Sequence, residues 1–483
     1  MGTAGGAVRG LILAGALLAA LPAPAHANGL RVETRRVSRP DGSATLRVEA
    51  AVAWKNAWRN ARNHDAAWLV VKLRGAPGRP WSHARVVSVA AADATPAAEC
   101  RASDDRAGAF CAPASAHRGD VAWQLAIEVD TVGVTAAQLA AGTVEALVVG
   151  VEMVYIPGGP FSIGDPDPAS VENASFYRSD ARGAHAGTLR IVSEAEIPVG
   201  ARAGALSYKA SEYTGDGQGP VPAAFPKGTR AFWVMKYEIL QGQYATFLNM
   251  ISDYAASFRA PIGGRAYRAE RGSIGIEGGR YFAASPDRPA NFMSWDDGAA
   301  FADWMGLRPW TELEFTKAAR GPAEPVANDF PWGTASKERL LRRNQPDDEL
   351  LQAGDADEST LTDETRDVLG ASYYWVMDLA GSVWEKVVTI GHPRGRAFLG
   401  THGDGRLRSF GLATNDDWPA GDHDGGGYGY RGGGYYERGR PDGPLNPHSR
   451  VEQRPYGSWG AGPRGVAYGF RAARTAEAEA GAR

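Results

Sequence analysis

The sequence RPWTELEF, residues 308–315, carries the clearest local structural signal in the chain. Thr311 is followed three residues later by Glu314, the spacing of a capping box, in which each side chain accepts a hydrogen bond from the other residue's backbone amide. Gly321 tolerates the left-handed backbone that often ends a helix. These positions predict a helix that begins at Thr311, buries Phe315 and stops at Gly321.

Two further helices are predicted on the N-terminal side of this segment. Ser294 and Asp297 form a second pair with capping-box spacing, and apolar residues at helical intervals follow them. The first of the three helices is predicted for residues 240–254, which also carry one apolar face. Beyond residue 322 the sequence turns to loops and short strands rich in Gly, Asp and Trp.

Residues 28–148 predict an all-β, sandwich-like domain. Val- and Ala-rich runs are separated by Gly, Pro, Asp and Asn clusters, and several runs alternate apolar with polar positions. The predicted strands are residues 30–37, 44–54, 67–73, 84–89, 121–129 and 144–151. Short strands separated in this way favour a sandwich.

Three tryptophans lie close together in this N-terminal region: Trp54, Trp58 and Trp68. Tryptophan in a sandwich usually anchors the core, so we expect core or domain-interface packing. Stacking on a glycan or another ligand is the alternative.

The N-terminus is typical of a secretory signal peptide. Arg9 precedes an apolar stretch that is too short to span a bilayer, and residues 25–27 fit the small-x-small cleavage rule. We therefore expect residues 1–27 to be removed, leaving a periplasmic or secreted protein that begins at Asn28 and does not insert into the membrane.

The chain contains two cysteines, Cys100 and Cys111. Export places them in an oxidising compartment, where a disulfide closing the short loop between them is expected. A metal or catalytic site built on the two thiols is the alternative.

Chain length and net charge limit the number of domains and the kinds of binding partner. The chain has 483 residues, more than one ordinary core accommodates, so two or three domains are expected. Its net charge of −3 gives no electrostatic reason to bind nucleic acid or an anionic membrane.

Residues 153–164 predict a strand, a tight turn and a second strand. The polar, Gly- and Pro-rich residues 165–230 that follow are either a functional insertion or a mobile lid.

Seven short motifs then occur in one order along the chain. They are FWVMKYE (232–238), PANFMSW (289–295), RPWTELEF (308–315), FPWG (330–333), DLAGSVWE (378–385), YRGGGY (430–435) and GFR (469–471). This set resembles the formylglycine-generating-enzyme (sulfatase-modifying factor) superfamily, whose motifs include RLPTEAEW, YPWG, DMxGNVWEW, RGGSW and GFR. The resemblance covers residues 150–475. It implies a C-type-lectin-like FGE-sulfatase fold for these residues. With the all-β sandwich-like domain before it, the chain is expected to be α+β, and residues 476–483 are expected to form a disordered tail.

The resemblance also defines which chemistry is missing. Family enzymes that make formylglycine bind copper through two cysteines near the C-terminus, and a thiolate pair suits Cu(I). No cysteine follows Cys111 here, and residues 432–469 offer Tyr, Arg, Glu, Asp, Ser and His448 instead. Formylglycine-generating oxidase activity is therefore not expected.

Iron is not expected either. The related sulfoxide synthases use iron held partly by histidines of an extra helical domain, and no such domain is visible in this sequence. The four nearest histidines, His392, His402, His423 and His448, lack ligand spacing on a regular element. We expect them to lie in exposed loops; two of them sharing a metal in the fold is the alternative.

A calcium site is the metal site that the resemblance retains. It assigns the side chains of Asp378 and Glu385 and the backbone carbonyls of Gly381 and Val383. Two carboxylates separated by a glycine turn can surround one hard cation. The alternative is that both carboxylates bond local backbone in a metal-free turn. A second family calcium site would begin at Asn344 and Gln345 and draw on acidic residues 355–363.

This sequence departs from the family motifs at two places, so the family's usual substrate-binding groove is not expected to be preserved unchanged. Lys386 stands where the family usually has tryptophan, and residues 308–310 reorder the usual motif. Arg431, Tyr435 and His423 are candidate residues of a binding rim, because they lie in or beside a Gly- and Tyr-rich loop. The alternative is that this loop consists only of connecting turns.

The leading functional hypothesis is an exported, non-catalytic binding or scaffolding protein whose lectin-like domain is stabilised by Ca²⁺. Its partner would be a peptide, a glycan or an envelope protein. The alternative is a periplasmic oxidoreductase of the superfamily that oxidises a protein or metabolite by non-cysteine chemistry. A structural component of an envelope assembly is a third hypothesis. The fold alone does not decide among these functions.

Overall fold

The computed structural model describes residues 29–40, 43–92, 94–131, 133–262, 265–340, 362–421, 426–437, 440–441, 448–460 and 464–477. The predicted signal peptide, the second calcium site at Asn344 and Gln345, and His423 lie outside these residues. The described chain combines helices with largely antiparallel sheets, which confirms the α+β class. Within these ranges, no helix has the length and apolar character needed to cross a bilayer.

The N-terminal region is built almost entirely of strands. They are β1 (Arg31–Ser38), β2 (Thr45–Arg59), β3 (Asp65–Arg74), β4 (Ser82–His83), β5 (Val86–Ala92), β6 (Ala98–Ala102), β7 (Ala109–Pro113), β8 (His117–Asp130) and β9 (Glu145–Ile156), with helix α1 at Ala136–Ala140. All six predicted strands are confirmed. The strands β4, β6 and β7 were not predicted, because they are short and their sequences show little alternation.

The remaining elements are short and joined by long loops. The strands are β10 (Phe161–Ile163), β11 (Tyr177–Arg178), β12 (Leu189–Ile191), β13 (Leu206–Ser207), β14 (Phe232–Met235), β15 (Ile274–Glu277), β16 (Arg280–Ala283), β17 (Arg308–Pro309), β18 (Trp384–Val388), β19 (Tyr428–Arg431), β20 (Tyr436–Glu437), β21 (Arg440–Pro441), β22 (Tyr468–Phe470) and β23 (Ala472–Thr475). The helices are α2 (Gln241–Met250), α3 (Asp253–Arg259), α4 (Arg265–Ala269), α5 (Trp295–Trp304), α6 (Glu312–Arg320), α7 (Arg366–Leu369) and α8 (Pro393–Arg396). Turns of 3₁₀-helix occur at Pro168–Asn173, Asp363–Thr365 and Ser409–Gly411.

Two sheets form the N-terminal sandwich, and one of them continues into the rest of the chain. The first sheet has the order β1-β2-β8-β5. The second is eight-stranded, with the order β17-β23-β14-β9-β3-β7-β6 and β4 paired to β3. Strand β9 joins the two regions, since it pairs with β3 along its length and with β14 near its end. The predicted domain boundary at residues 148–150 therefore falls inside a continuous strand.

The helices largely follow the predicted caps. Ser294 with Asp297 and Thr311 with Glu314 form complete capping boxes at the starts of α5 and α6, which are confirmed. The single helix predicted for residues 240–254 is wrong in one respect. Its backbone becomes extended at Ile251, and the Ser252 hydroxyl accepts a hydrogen bond from the Ala255 amide, which begins the separate helix α3.

Packing of the tryptophans agrees with the core interpretation. Trp54, Trp58 and Trp68 are 2%, 3% and 0% exposed, which leaves no ring face for an external ligand. The indole N–H of Trp68 donates to the carbonyl of Met305, 2.8 Å away at the end of α5. A side chain of the N-terminal sandwich thus anchors a helix of the C-terminal region.

Cys100 and Cys111 lie opposite each other on β6 and β7 and form the predicted disulfide.

The insertion of residues 165–230 packs on the C-terminal part of the chain. Asp216 of the insertion makes two hydrogen bonds to Arg396, of 2.9 Å and 2.8 Å, and the Ser458 amide donates to the Tyr213 carbonyl.

Candidate functional site

The turn of residues 378–385 places two acidic side chains beside the core. Asp378, Gly381 and Ser382 all have positive φ, of 58°, 85° and 57°, so the backbone folds back tightly over a few residues. Glycine accepts this conformation freely, and aspartate adopts it more readily than most residues. The turn then leads into β18, which lies between β19 and β22 and carries Glu385 into the interior.

Arg471 binds Glu385 in a buried, bidentate ion pair. The Nε and Nη2 atoms of Arg471 lie 2.9 Å and 2.7 Å from the two carboxylate oxygens, and both side chains are fully buried. Arg471 also donates to the backbone carbonyls of Met235, Lys236 and Met377. The arginine of the GFR motif therefore ties β18 to β14 and to the start of the acidic turn.

Glu238 is a third carboxylate at this position, and it is poorly satisfied. Its side chain is fully buried, and neither of its oxygens has a hydrogen-bond partner among the residues that the structure describes. The guanidinium of Arg471 lies 3.4 Å from one of them. Burial, and then the charge of Asp378, raise the pKa of Glu238 well above its usual range. Burial also raises the pKa of Glu385.

These residues fit a divalent cation in charge and in donor type. Glu238, Asp378 and Glu385 contribute three negative charges when ionised, and Arg471 contributes one positive charge, so two negative charges remain. Oxygen donors of this kind are those that Ca²⁺ prefers. Each oxygen of Glu385 keeps a further lone pair beyond its bond to Arg471. Within the described ranges, however, no three acidic, histidine or cysteine side chains already surround one point in the manner of a metal site.

The predicted binding rim is wrong for the two residues that the structure describes. Arg431 is fully buried and donates to Thr316 Oγ1 at 3.1 Å and to the Val451 carbonyl at 2.8 Å. Tyr435 is 4% exposed, and its hydroxyl donates to the Val466 carbonyl. The flanking glycines suggested an open loop, whereas Arg431 ends strand β19, which pairs with the buried strand β18.

The described histidines have structural partners. His402 accepts a hydrogen bond from the Thr475 amide at 3.0 Å, and burial, together with the charge of Arg474, lowers its pKa to about 4. His392 caps α8 by accepting from the Arg394 amide, and His448 lies 2.9 Å from the Gln453 amide oxygen. His402 is half-buried, with 22% of its side chain exposed, so it is not the fully exposed loop histidine that was expected.

An aromatic cluster occupies the region in which the family resemblance predicts the copper-binding cysteines. Its rings lie at centroid distances of 4.8–6.4 Å in a connected set formed by Trp384, Tyr430, His448, Tyr456, Trp459 and Tyr468. Tyr213 of the insertion adds a ring that is 43% exposed, 6.1 Å from Trp459 and 6.3 Å from Tyr456. Local sequence patterns do not predict this cluster, because its members come from separate segments without periodic spacing.

Lys386 lies beneath this cluster. Its side chain is fully buried, and its ammonium group donates to the Met293 carbonyl. The same group faces the rings of Tyr430 and Tyr468, at 5.0 Å and 5.3 Å from their centroids. The lysine that replaces the usual family tryptophan is therefore held by a carbonyl and by two aromatic rings.

Comparison with known proteins agrees with the motifs. Residues 141–476 match the family described as the sulfatase-modifying factor enzyme 1-like domain. A formylglycine-generating enzyme from Thermomonospora curvata is 25% identical over 236 residues, which are 48% of this chain and 69% of that enzyme. The family match begins inside the predicted N-terminal region, four residues before β9.

Proposed function

The chain belongs to the sulfatase-modifying factor enzyme 1-like family, and we propose that it is an exported, non-catalytic binding or scaffolding protein. This proposal rests on the position and pairing of the two cysteines. Cys100 and Cys111 are joined in a disulfide on β6 and β7, and no cysteine follows them in the sequence. Residues that could hold copper as thiolates are thus absent from the region in which family enzymes use them.

Calcium is the metal that this proposal assigns to the chain. Asp378 and Glu385 would bind it through their side chains, and Gly381 and Val383 through their carbonyls, as the family pattern implies. The oxygens of Glu238 support the assignment, because a buried carboxylate without hydrogen bonds is costly even beside the Arg471 guanidinium. Bound Ca²⁺ would supply the positive charge that Arg471 alone does not provide, and would stabilise the turn before β18.

Binding would take place at the aromatic cluster. The rings of His448, Tyr456, Trp459 and Tyr468 are partly exposed, and Tyr213 projects from the packed insertion beside Trp459. The other two rings of the cluster, those of Trp384 and Tyr430, are buried. Aromatic faces with polar tips suit peptides and glycans, which present both apolar and hydrogen-bonding groups. The insertion would thus contribute one wall of the binding surface.

An oxidoreductase with non-cysteine chemistry is the second candidate function. Family membership favours it, and so does the concentration of tyrosine and tryptophan, which are oxidisable side chains, in residues 428–468. Its substrate would be a protein or a metabolite in the periplasm.

An oxygen-consumption assay tests whether the chain retains the activity of the formylglycine-generating enzymes. The mature chain, from Asn28, is supplied with Cu(I), a thiol reductant and a cysteine-containing peptide, with the Thermomonospora curvata enzyme as the positive control. We expect no oxygen uptake above the protein-free rate, and no conversion of the peptide cysteine by mass spectrometry. Uptake or conversion in proportion to the amount of protein would overturn the non-catalytic proposal.

A further inference from the structure

The exposed side of the aromatic cluster has the shape of a corner. The ring of Tyr213 stands at 75° to the ring of Trp459 and at 89° to the ring of Tyr456. Tyr213 is exposed, and the other two rings are partly exposed. The three rings therefore present faces at right angles to one another, so a small ring-shaped ligand can lie against one face while its edge meets another.

The wall that Tyr213 provides is held in place through its backbone. The Ser458 amide donates to the Tyr213 carbonyl at 2.9 Å, and the buried guanidinium of Arg454 donates to the Thr214 carbonyl at 3.1 Å. A wall that is already ordered loses little conformational freedom when a ligand binds, which favours affinity.

Polar groups that a ligand can use lie beside these ring faces. Within the part of the chain that the structure describes, neither the indole N–H of Trp459 nor the hydroxyl of Tyr213 forms a hydrogen bond. The next residue in the chain, Glu212, is exposed and forms no ion pair with any described residue. The indole donates, the carboxylate accepts and the hydroxyl does both. Donors and acceptors therefore occur together next to apolar surface.

The sheet that carries Tyr430 and Tyr468 offers no strand edge to an extended peptide. In the described ranges, neighbouring segments cover both outer edges of the order β19-β18-β22. On one side the Tyr430 amide donates to the Tyr456 carbonyl, and on the other the Tyr468 carbonyl accepts from the Met293 amide. A peptide that bound by strand addition would need such groups. Recognition at the cluster is therefore left to side chains.

We propose that the corner between Tyr213 and Trp459 binds a neutral glycan, which rests on the binding function proposed above for the aromatic cluster. A sugar ring has an apolar C–H face, which stacks on an aromatic ring, and a rim of hydroxyls that both donate and accept hydrogen bonds. The hydroxyls match the mixture of donors and acceptors at the corner.

The charge and hydrogen-bonding character of the corner disfavour other ligands. The Glu212 carboxylate repels an acidic sugar, because like charges brought together are costly. A proline-rich peptide also packs on aromatic rings, but its prolines have no N–H to donate to Glu212. A neutral glycan meets neither difficulty.

Binding is measured with the chain from Asn28 in two steps. An array of neutral hexose and N-acetylhexosamine oligosaccharides, uronate oligosaccharides and proline-rich peptides first identifies the class of ligand. Isothermal titration calorimetry with the best-bound probe then compares the unsubstituted chain with Tyr213→Ala and Tyr213→Phe. Tyr254→Ala is the matched control, because Tyr254 is an exposed tyrosine whose ring contacts Phe258 and Phe410 instead of the cluster. Thermal unfolding checks that each variant is folded.

We expect neutral oligosaccharides to be the class that binds. Tyr213→Ala should raise the dissociation constant at least about tenfold. Tyr213→Phe keeps the ring and loses the hydroxyl, so it should raise the constant about two- to tenfold. Tyr254→Ala should leave it unchanged.

An array without a bound neutral oligosaccharide would overturn the glycan assignment, as would a Tyr213→Ala variant that binds the oligosaccharide as tightly as the unsubstituted chain. Binding of the peptides alone, weakened by Tyr213→Ala, would also overturn it while leaving the binding function in place. Oxygen uptake in the assay described above would instead overturn the binding function itself.

Discussion

The guanidinium of Arg471 binds the carboxylate of Glu385 through two hydrogen bonds, of 2.9 Å and 2.7 Å, where neither side chain reaches solvent. Arg471→Met leaves Glu385 and Glu238 without their cation. We expect it to lower the free energy of unfolding by about 3–5 kcal/mol, the usual effect of breaking a buried pair on one side. Denaturant titration measures this change.

The control for this prediction is Arg35→Met. Arg35 forms an exposed ion pair with Glu33 on β1, and such pairs contribute roughly 0–1 kcal/mol. Equal losses of stability in the two variants would mean that the pair of Arg471 with Glu385 is not a structural centre of the core.

Glu238→Gln tests whether calcium neutralises the buried carboxylates. The amide has the same shape without the charge, so this variant should be more stable than the unsubstituted chain when EGTA is present. It should also gain less thermal stability from added Ca²⁺, because one of the charges that attract the cation is gone. The melting temperature in EGTA and in calcium measures both effects. An undiminished response to Ca²⁺ in the variant would exclude Glu238 from the site.

Local signals in the sequence predicted local structure well. The capping boxes at Ser294 and Thr311 begin α5 and α6 as expected, because they depend on residues three positions apart. The strands of the N-terminal sandwich also follow from alternation along a few residues. The break at Ile251 was missed, because the apolar spacing continues through it while Ser252 begins a new helix.

Contacts between distant segments could not be predicted in the same way. Arg431 was assigned to a rim because glycines surround it, yet Thr316 and Val451, far away in sequence, enclose it. The aromatic cluster likewise joins Tyr213 of the insertion to Trp459 near the C-terminus. Neither contact has a local pattern that would reveal it. The family motifs located the acidic turn, since it is contiguous in sequence.

The N-terminal sandwich is predicted to be necessary for folding of the C-terminal region. Strand β9 pairs with β3 on one side and β14 on the other, and the buried Lys236 ammonium lies 3.9 Å from Asp65 on β3. A fragment that begins at residue 150 cuts β9 and loses β3 altogether. We expect it to lack a cooperative unfolding transition, measured by circular dichroism. A fragment that unfolds as cooperatively as the whole chain would contradict this prediction.

Stability should fall in mild acid because of the partly buried His64. Burial, and then the charge of Arg59, lower the pKa of His64 from 6.5 to about 3. As the pH falls through about 6.5, the His64 imidazole therefore takes up a proton in the unfolded chain but stays neutral in the folded chain. The stability from this group is complete above pH 6.5 and is lost progressively as the pH falls towards 3.

His64→Phe is the variant that tests this pH dependence. The His64 ring lies 5.2 Å from both Tyr155 and Trp233, and phenylalanine keeps an aromatic ring there without titrating. Between about pH 7 and about pH 5, the variant should lose about 1–2 kcal/mol less stability than the unsubstituted chain. Urea midpoints at the two pH values measure the difference. Parallel losses in both proteins would show that His64 does not titrate with unfolding.

The metal content of the purified protein decides between calcium and an oxygen-activating metal. The chain from Asn28, exported to the periplasm of a bacterial expression host and purified without chelator, is analysed for calcium, copper and iron by inductively coupled plasma mass spectrometry. We expect about one calcium ion per chain, with neither copper nor iron near stoichiometry. Stoichiometric copper or iron, or a folded chain without calcium, would contradict this expectation.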